Sequence, residues 1–252
     1  MGPESSPAAL ASAPEKHASA QPRATHPRCR LVPFGDRDTA ALAADMAWLH
    51  AMLLPHSPVA LLGHDFMAGF YYSALPRLRL ICGHVAYVDE QPAGFIVATH
   101  DSSGFMRQGL RKAFFPLARV MLQSVLRAPR RVAAIWEAVQ IMRTMPPTDP
   151  GDRAGELLSF GVLPQYRSRE FMLRTRLRLS QDLLAAAMAQ LCARGVNVVR
   201  VIVDADNLEA RMFYLGNGWQ PGRDSVPGWR KKTVEFLWQA QRVDPAAPTR
   251  AG

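Results

Sequence analysis

Apolar and polar positions along this chain recur with two periods, and the changes of period mark the elements. Runs of strand type fall at 29–34, 80–88 and 93–99. The last two are joined at Asp89-Glu90-Gln91-Pro92, a turn-forming cluster that predicts a hairpin. Helical spacing marks the stretch up to position 53, where Leu42, Met46, Leu49 and Leu53 recur on one face behind Asp36 or Asp38 as a cap. A second helix is predicted over 65–75. A helical block over 104–145, both apolar and strongly basic, is interrupted at Pro116 and Pro129.

The stretch 156–219 says most. Glu-Leu-Leu-Ser-Phe-Gly-Val reads as a strand over 156–162, followed by an arginine-rich turn after Pro164 and a helix over 181–194. A strand over 198–203 runs into Asp204-Ala205-Asp206-Asn207, which opens a short helix ending in Phe213-Tyr214, with Gly218-Trp219 after it. A final strand is predicted over 232–238. Helices and strands in this mixed order, with an early hairpin, predict an α/β domain on a mixed sheet. Residues 1–28, dominated by Ala, Pro and Ser, and residues 240–252 read as disordered tails. The expected organisation is one domain over 29–239 carrying 104–145 as an insertion.

Composition narrows the class. With 252 residues, 48% of them apolar, the chain can bury a substantial core. No apolar run reaches the roughly 18 residues a membrane span needs, and no secretory leader is visible. Cys29, Cys82 and Cys192 are too far apart for a disulfide framework or a cysteine metal site, so a reduced, cytoplasmic protein is expected. The net charge is +9, and between positions 105 and 145 eight basic side chains face Glu137 alone. That balance favours anionic partners without choosing among a phosphorylated cofactor, nucleic acid and a membrane surface.

A strand that feeds an arginine-lined helix start is a place to hold a phosphate ester, because free amides and the helix dipole meet the anion there. Three segments then resemble the GNAT superfamily of acyl-CoA-dependent N-acyltransferases. Val162-Leu163-Pro164-Gln165-Tyr166-Arg167 resembles the end of the family's fourth strand and the start of its cofactor loop. Val203-Asp204-Ala205-Asp206-Asn207 is similar to the fifth strand entering the next helix. Ala210-Arg211-Met212-Phe213-Tyr214, with Gly218-Trp219, resembles that helix and its closing Gly-aromatic pair. The resemblance spans about 31–238. It implies a mixed, mostly antiparallel sheet flanked by helices and transfer of an acetyl group from acetyl-CoA to a primary amine.

The chain departs from the family in one respect. The family's loop arginine is followed by glycines that let amides approach the pyrophosphate, whereas no glycine stands between Pro164 and Arg194 here. Counting back from the 198–203 strand moves the phosphate-facing turn to 174–180. The expected anchor is therefore Arg167, Arg174, Thr175, Arg176 and Arg178, with Ser180 as a small capping residue. A solvated basic face would explain each arginine singly; the run directly after a strand favours phosphate.

By the same resemblance the pantetheine arm lies along Phe160, Gly161 and Val162, and Asn207 caps the helix that lines the thioester end. Tyr214 is the expected acid for the departing thiolate, and core packing is the alternative reading of its ring. Glu156 is the candidate base, against a plain surface carboxylate. His64, His84 and His100 are too scattered to form a metal site, and none is expected. The acceptor site should be built from the first two helices and the 104–145 block, whose basic character suggests an acidic or phosphorylated small-molecule amine. Two other classes compete: a ligand-binding protein of this fold without catalysis, and a basic module for membrane surfaces or nucleic acid, the latter lacking a recognition pattern.

Overall fold

A computed structural model describes residues 27–34, 40–102, 104–112, 154–224 and 231–240. The tails, the Asp36 or Asp38 cap and the 104–145 block beyond Lys112 lie outside the described residues. The chain runs β1 (Cys29–Phe34), α1 (Ala40–Leu53), α2 (Pro58–Leu61), α3 (His64–Phe66), α4 (Ala74–Arg77), β2 (Cys82–Val88) and β3 (Gln91–Thr99). It continues through α5 (Phe105–Lys112), β4 (Ala154–Val162), α6 (Pro164–Arg167), α7 (Arg169–Thr175), α8 (Leu179–Ala193) and β5 (Val198–Asp204). It closes with α9 (Leu208–Gly216), β6 (Gln220–Asp224) and β7 (Thr233–Gln239).

The strands form a seven-stranded sheet in the order β1-β2-β3-β4-β5-β7-β6. Neighbours are antiparallel except β4 and β5, which run parallel. This is the mixed, mostly antiparallel sheet expected. The β2–β3 hairpin turns on two residues, Asp89 and Glu90, both at positive φ (49° and 63°), so the twist of the turn matches that of the strands.

Two apolar layers cover the sheet. On one face, Phe95 and Val97 of β3 pack with Met46, Leu49 and the aromatic group Phe70, Tyr71 and Tyr72. On the other, Ile96, Ala98, Leu157, Val199, Val201 and Val203 pack under Leu183, Leu184, Ala187 and Leu191 of α8. Successive residues of a strand face opposite sides except where a bulge intervenes, as at Leu158 of β4, so register decides which side a group serves.

Several expectations need correction. The helix expected over 65–75 is broken into short turns: α3 runs into a π-helical turn at Met67–Tyr71, and α4 begins afresh at Ala74. The arginine-rich turn after Pro164 is two short helices, with Ser168 capping α7 by accepting from the Phe171 amide (3.2 Å). β6 has no counterpart among the predicted strands. All five of its residues are exposed, so it carries no alternating apolar pattern.

Candidate active site

β4 and β5 begin side by side and then part. Their pairing runs from Ala154↔Val198 to Leu157↔Val201 and stops there, while β4 continues to Val162 and β5 to Asp204. Each strand keeps its other neighbour, β3 for β4 and β7 for β5, so neither frays. The β3–β4 register slips between Val97 and Ala98, leaving Leu158 as an extra residue where the fork opens. A bulge of this kind bends and twists its strand, which suits the divergence.

The direction of the backbone groups at the fork follows from the ladder. The Leu163 amide donates to the Ala93 carbonyl at 2.8 Å. Hydrogen-bonded residues alternate in an antiparallel pair, so Ser159, Gly161 and Leu163 aim at β3, and Phe160 and Val162 aim towards β5. On the far side, Ala205 donates to the Lys232 carbonyl (2.9 Å), which by the same alternation turns Ile202 towards β4. The backbone groups of Phe160 and Val162 thus face the fork where β5 no longer pairs with them.

Side chains close the fork on two levels. The ring of Phe160 meets Phe213 of α9 (centroids 5.5 Å apart) on the α8 side. Gly161 lies on the α1 side under Leu53.

The loop between β4 and α8 presents the basic residues. Arg176 ends α7 in the left-handed conformation (φ 61°), its amide donating to the Met172 carbonyl (2.8 Å). The Asp182 amide donates to the Arg178 carbonyl (3.0 Å), which leaves the amides of Leu179, Ser180 and Gln181 outside the ladder of α8. Arg174, Arg176 and Arg178 are exposed beside this helix start. Arg167 pairs instead with Glu209 of α9, tying the loop to that helix.

Two expected members of the anchor are differently placed. The Thr175 side chain is buried, its hydroxyl donating to the Phe171 carbonyl (2.8 Å) and accepting from the Leu177 amide (3.2 Å), so its bonding is spent on ending α7. Ser180 lies inside α8 rather than at its cap; Arg178 holds the cap position and makes no side-chain capping bond. Only the Ser180 amide is available to a ligand in the expected way.

Asn207 caps α9, its Oδ1 accepting from the Ala210 amide (3.0 Å). Tyr214 sits on the inner face of that helix, ring stacked on Phe236 (6.0 Å) and edge-on to Trp219 (5.2 Å) and Phe213 (5.5 Å). Burial pushes its hydroxyl pKa well above the ordinary phenol value, so it is protonated at neutral pH.

Glu156 is no surface carboxylate. It is 3% exposed, opposite Arg200 of β5, and its Oε2 accepts from both Arg200 Nε (3.0 Å) and Nη2 (2.8 Å). Burial raises its pKa, against the pull of Arg200 in the other direction.

Several further residues of this region carry only a faint signal in the sequence. Arg200 stands among valines in β5 and Glu235 among apolar residues in β7, and a lone charge in an apolar strand was the available signal. His50 of α1 is fully buried, with Nδ1 2.5 Å from the Tyr72 hydroxyl and Nε2 2.6 Å from Ser57 Oγ. Burial lowers its pKa to about 4, so it is neutral, with one ring nitrogen donating and the other accepting. Ser57 in turn caps α2 through the Ala60 amide (3.1 Å), so this network fixes the α1–α2 turn. Among the described residues no group of three or more His, Cys, Asp or Glu could hold a metal ion.

No family model and no curated protein matches this sequence. Solved structures do match in fold. An acetyltransferase from Streptococcus agalactiae superposes with a TM-score of 0.50 at 10% identity, covering 83% of this chain and 98% of its own. A protein from Desulfovibrio desulfuricans assigned to the GNAT family of acetyltransferases gives 0.48 at 11% identity, covering 84% and 99%. Arabidopsis thaliana NAA60 in complex with acetyl-CoA gives 0.48 at 12%, covering 84% and 98%. The likeness to the Streptococcus agalactiae acetyltransferase shows a shared fold, the mixed, mostly antiparallel sheet flanked by helices that the sequence motifs imply.

Proposed function

We propose that this protein is an N-acetyltransferase that moves an acetyl group from acetyl-CoA directly to a primary amine. The observation that carries this reading is the fork: a parallel strand pair that parts, with the backbone of Phe160 and Val162 turned into the opening and a basic helix start beside it. The residues fit the cofactor. Unpaired strand amides and carbonyls suit the amide groups of a pantetheine arm, as an added strand would. The free amides of Leu179, Ser180 and Gln181, with Arg174, Arg176 and Arg178, suit the pyrophosphate without loop glycines, since a helix-start amide donates whatever its side chain.

Acetyl-CoA, when bound, supplies an acyl group already activated as a thioester. The rest falls to the protein. An amide at Phe160 or Val162 can donate to the developing oxyanion. Glu156 lies on the α1 face of the sheet and Tyr214 on the α8 face, so a base and an acid approach the fork from opposite sides. Glu156 can take the amine proton on Oε1, the oxygen that Arg200 leaves free of its two bonds. Tyr214, protonated and buried, can return a proton to the leaving sulfur. Asn207 holds the start of the helix that carries it.

The catalytic unit in this reading is 29–239, acting in the cytoplasm where its donor is made, on a small-molecule amine. Calorimetric titration with acetyl-CoA, and separately with CoA, tests it. Micromolar binding of both is expected, followed by acetyl-CoA-dependent thiol release with a panel of amines. Absence of binding at high concentration would overturn the reading in favour of a polyanion or lipid-surface module. Tight binding with no turnover across the panel would favour a non-catalytic binder of the same fold.

A further inference from the structure

The α1 face of the sheet carries three charged groups beside the fork. Glu156 and Arg200 are opposite one another in the β4–β5 pair, one step before pairing ends. Glu235 of β7 is opposite Ile202, hence on the same face as Arg200 and diagonal to it. All three are buried, at 3%, 8% and 8% exposure. Glu235 is covered by β6: its Oε2 accepts from the Arg223 amide (3.3 Å) and would lie 2.9 Å from a Cβ on Gly222. Two carboxylates and one guanidinium therefore share a low-dielectric patch, and among the described residues the guanidinium's hydrogen bonds go to Glu156.

We propose that Arg200 and Glu235 are positioning residues for Glu156, the first clamping Oε2 so that Oε1 is left for the acceptor amine, the second opposing the clamp with its negative charge. This rests on the transferase reading above. The geometry gives the two residues opposite effects. A guanidinium on one oxygen of a buried carboxylate favours its ionised form and fixes one rotamer. A second carboxylate in the same patch works against ionisation, and both directions are found for Glu156: burial raises its pKa most, Arg200 lowers it and Glu235 raises it further. Tyr71, from the π-helical turn, also feels the charge of Glu156; burial and that charge keep it a neutral phenol. His50 of α1 is engaged with Tyr72 and Ser57. The arrangement thus gives a carboxylate with one oxygen held and its proton affinity set by opposing neighbours, which a buried carboxylate alone or a simple ion pair would not give.

The test is the titration of Glu156 itself in the full-length protein, read by the side-chain carboxyl carbon in glutamate-labelled protein and assigned by its loss in Glu156→Gln. Arg200→Gln should move the midpoint up by about 1–3 pH units, and Glu235→Gln should move it down by a smaller amount. Arg200→Lys, which keeps the charge, should stay nearer to wild type and serves if Arg200→Gln does not fold. Midpoints that do not move, or that move in the same direction, overturn the proposal. Calorimetry with acetyl-CoA on wild type separates the two levels. Binding together with an unresponsive Glu156 sinks this inference alone. A responsive Glu156 in a protein that binds no acetyl-CoA sinks the transferase reading and, with it, the use of that carboxylate.

Discussion

Leu53 of α1 lies on the bare α-carbon of Gly161 in β4: a Cβ there would be 3.0 Å from Leu53 Cδ1 and 3.2 Å from its Cβ. The contact seats the end of α1 on the diverging part of β4, so the glycine sets how close the helix comes to the fork. Gly161→Val should push the helix off the strand and cost about 1–3 kcal/mol, as overpacking does. Urea unfolding checks it. A smaller loss in Gly161→Val with Leu53→Ala than in Gly161→Val alone would show that the clash is with that leucine.

The His50 network makes stability sensitive to acid. Its pKa falls from an ordinary 6.5 to about 4 because the ring is buried. The folded state thus binds fewer protons than the unfolded state between those values. The stabilisation is present above pH 6.5 and is lost as pH falls through about 4, and a 2.5-unit shift corresponds to about 3 kcal/mol. Glu156, whose pKa is raised, acts in the opposite sense, losing stability as pH rises from its ordinary value. Comparing wild type with His50→Gln at pH 6.5 and at pH 4 cancels that contribution. The difference between the two proteins should change by about 3 kcal/mol, and a constant difference would rule out titration of His50.

Tyr214→Phe removes a hydroxyl that makes no hydrogen bond among the described residues and keeps the aromatic stack. Stability and acetyl-CoA affinity should stay near wild type. Turnover of whichever amine the wild type accepts should fall about 100-fold or more, the usual worth of a general acid. Unchanged turnover would end its role as the acid.

Arg176→Glu places a negative charge at the left-handed end of α7, next to the free amides of α8. Acetyl-CoA should bind at least about tenfold more weakly, with the difference shrinking at high salt. Wild-type affinity would move the anchor back to Arg167–Arg169.

The Asn207 cap is local and separable. Asn207→Ala leaves the Ala210 amide without its acceptor and should cost about 1 kcal/mol in thermal or urea unfolding. Asn207→Asp should restore most of it, and failure of that rescue would point to a ligand contact.

The order of β1–β5 and β7, the long helices α1 and α8 and the Asn207 cap were legible because they are local. Periodicity, a capping side chain and a turn cluster act within a few residues, and 156–219 holds all three in sequence. The later start of α8 could also be read by counting back from β5, and the structure begins it at Leu179. Thr175 and Ser180 were misjudged because which hydroxyl ends α7, and which residue precedes α8, depends on how the loop folds. β6 was invisible because an exposed edge strand needs no apolar side chains.

What the sequence determined by itself is thus the fold class and the segment in which the fork and the basic helix start lie. The tertiary structure decided the fork, the turning of Phe160 and Val162 into it, the seat of Leu53 on Gly161 and the pairing of Glu156 with Arg200, 44 residues apart. Each of those depends on register between strands or helices distant in sequence, and the free energy that fixes register comes from burying whole faces at once. No short window of residues contains it.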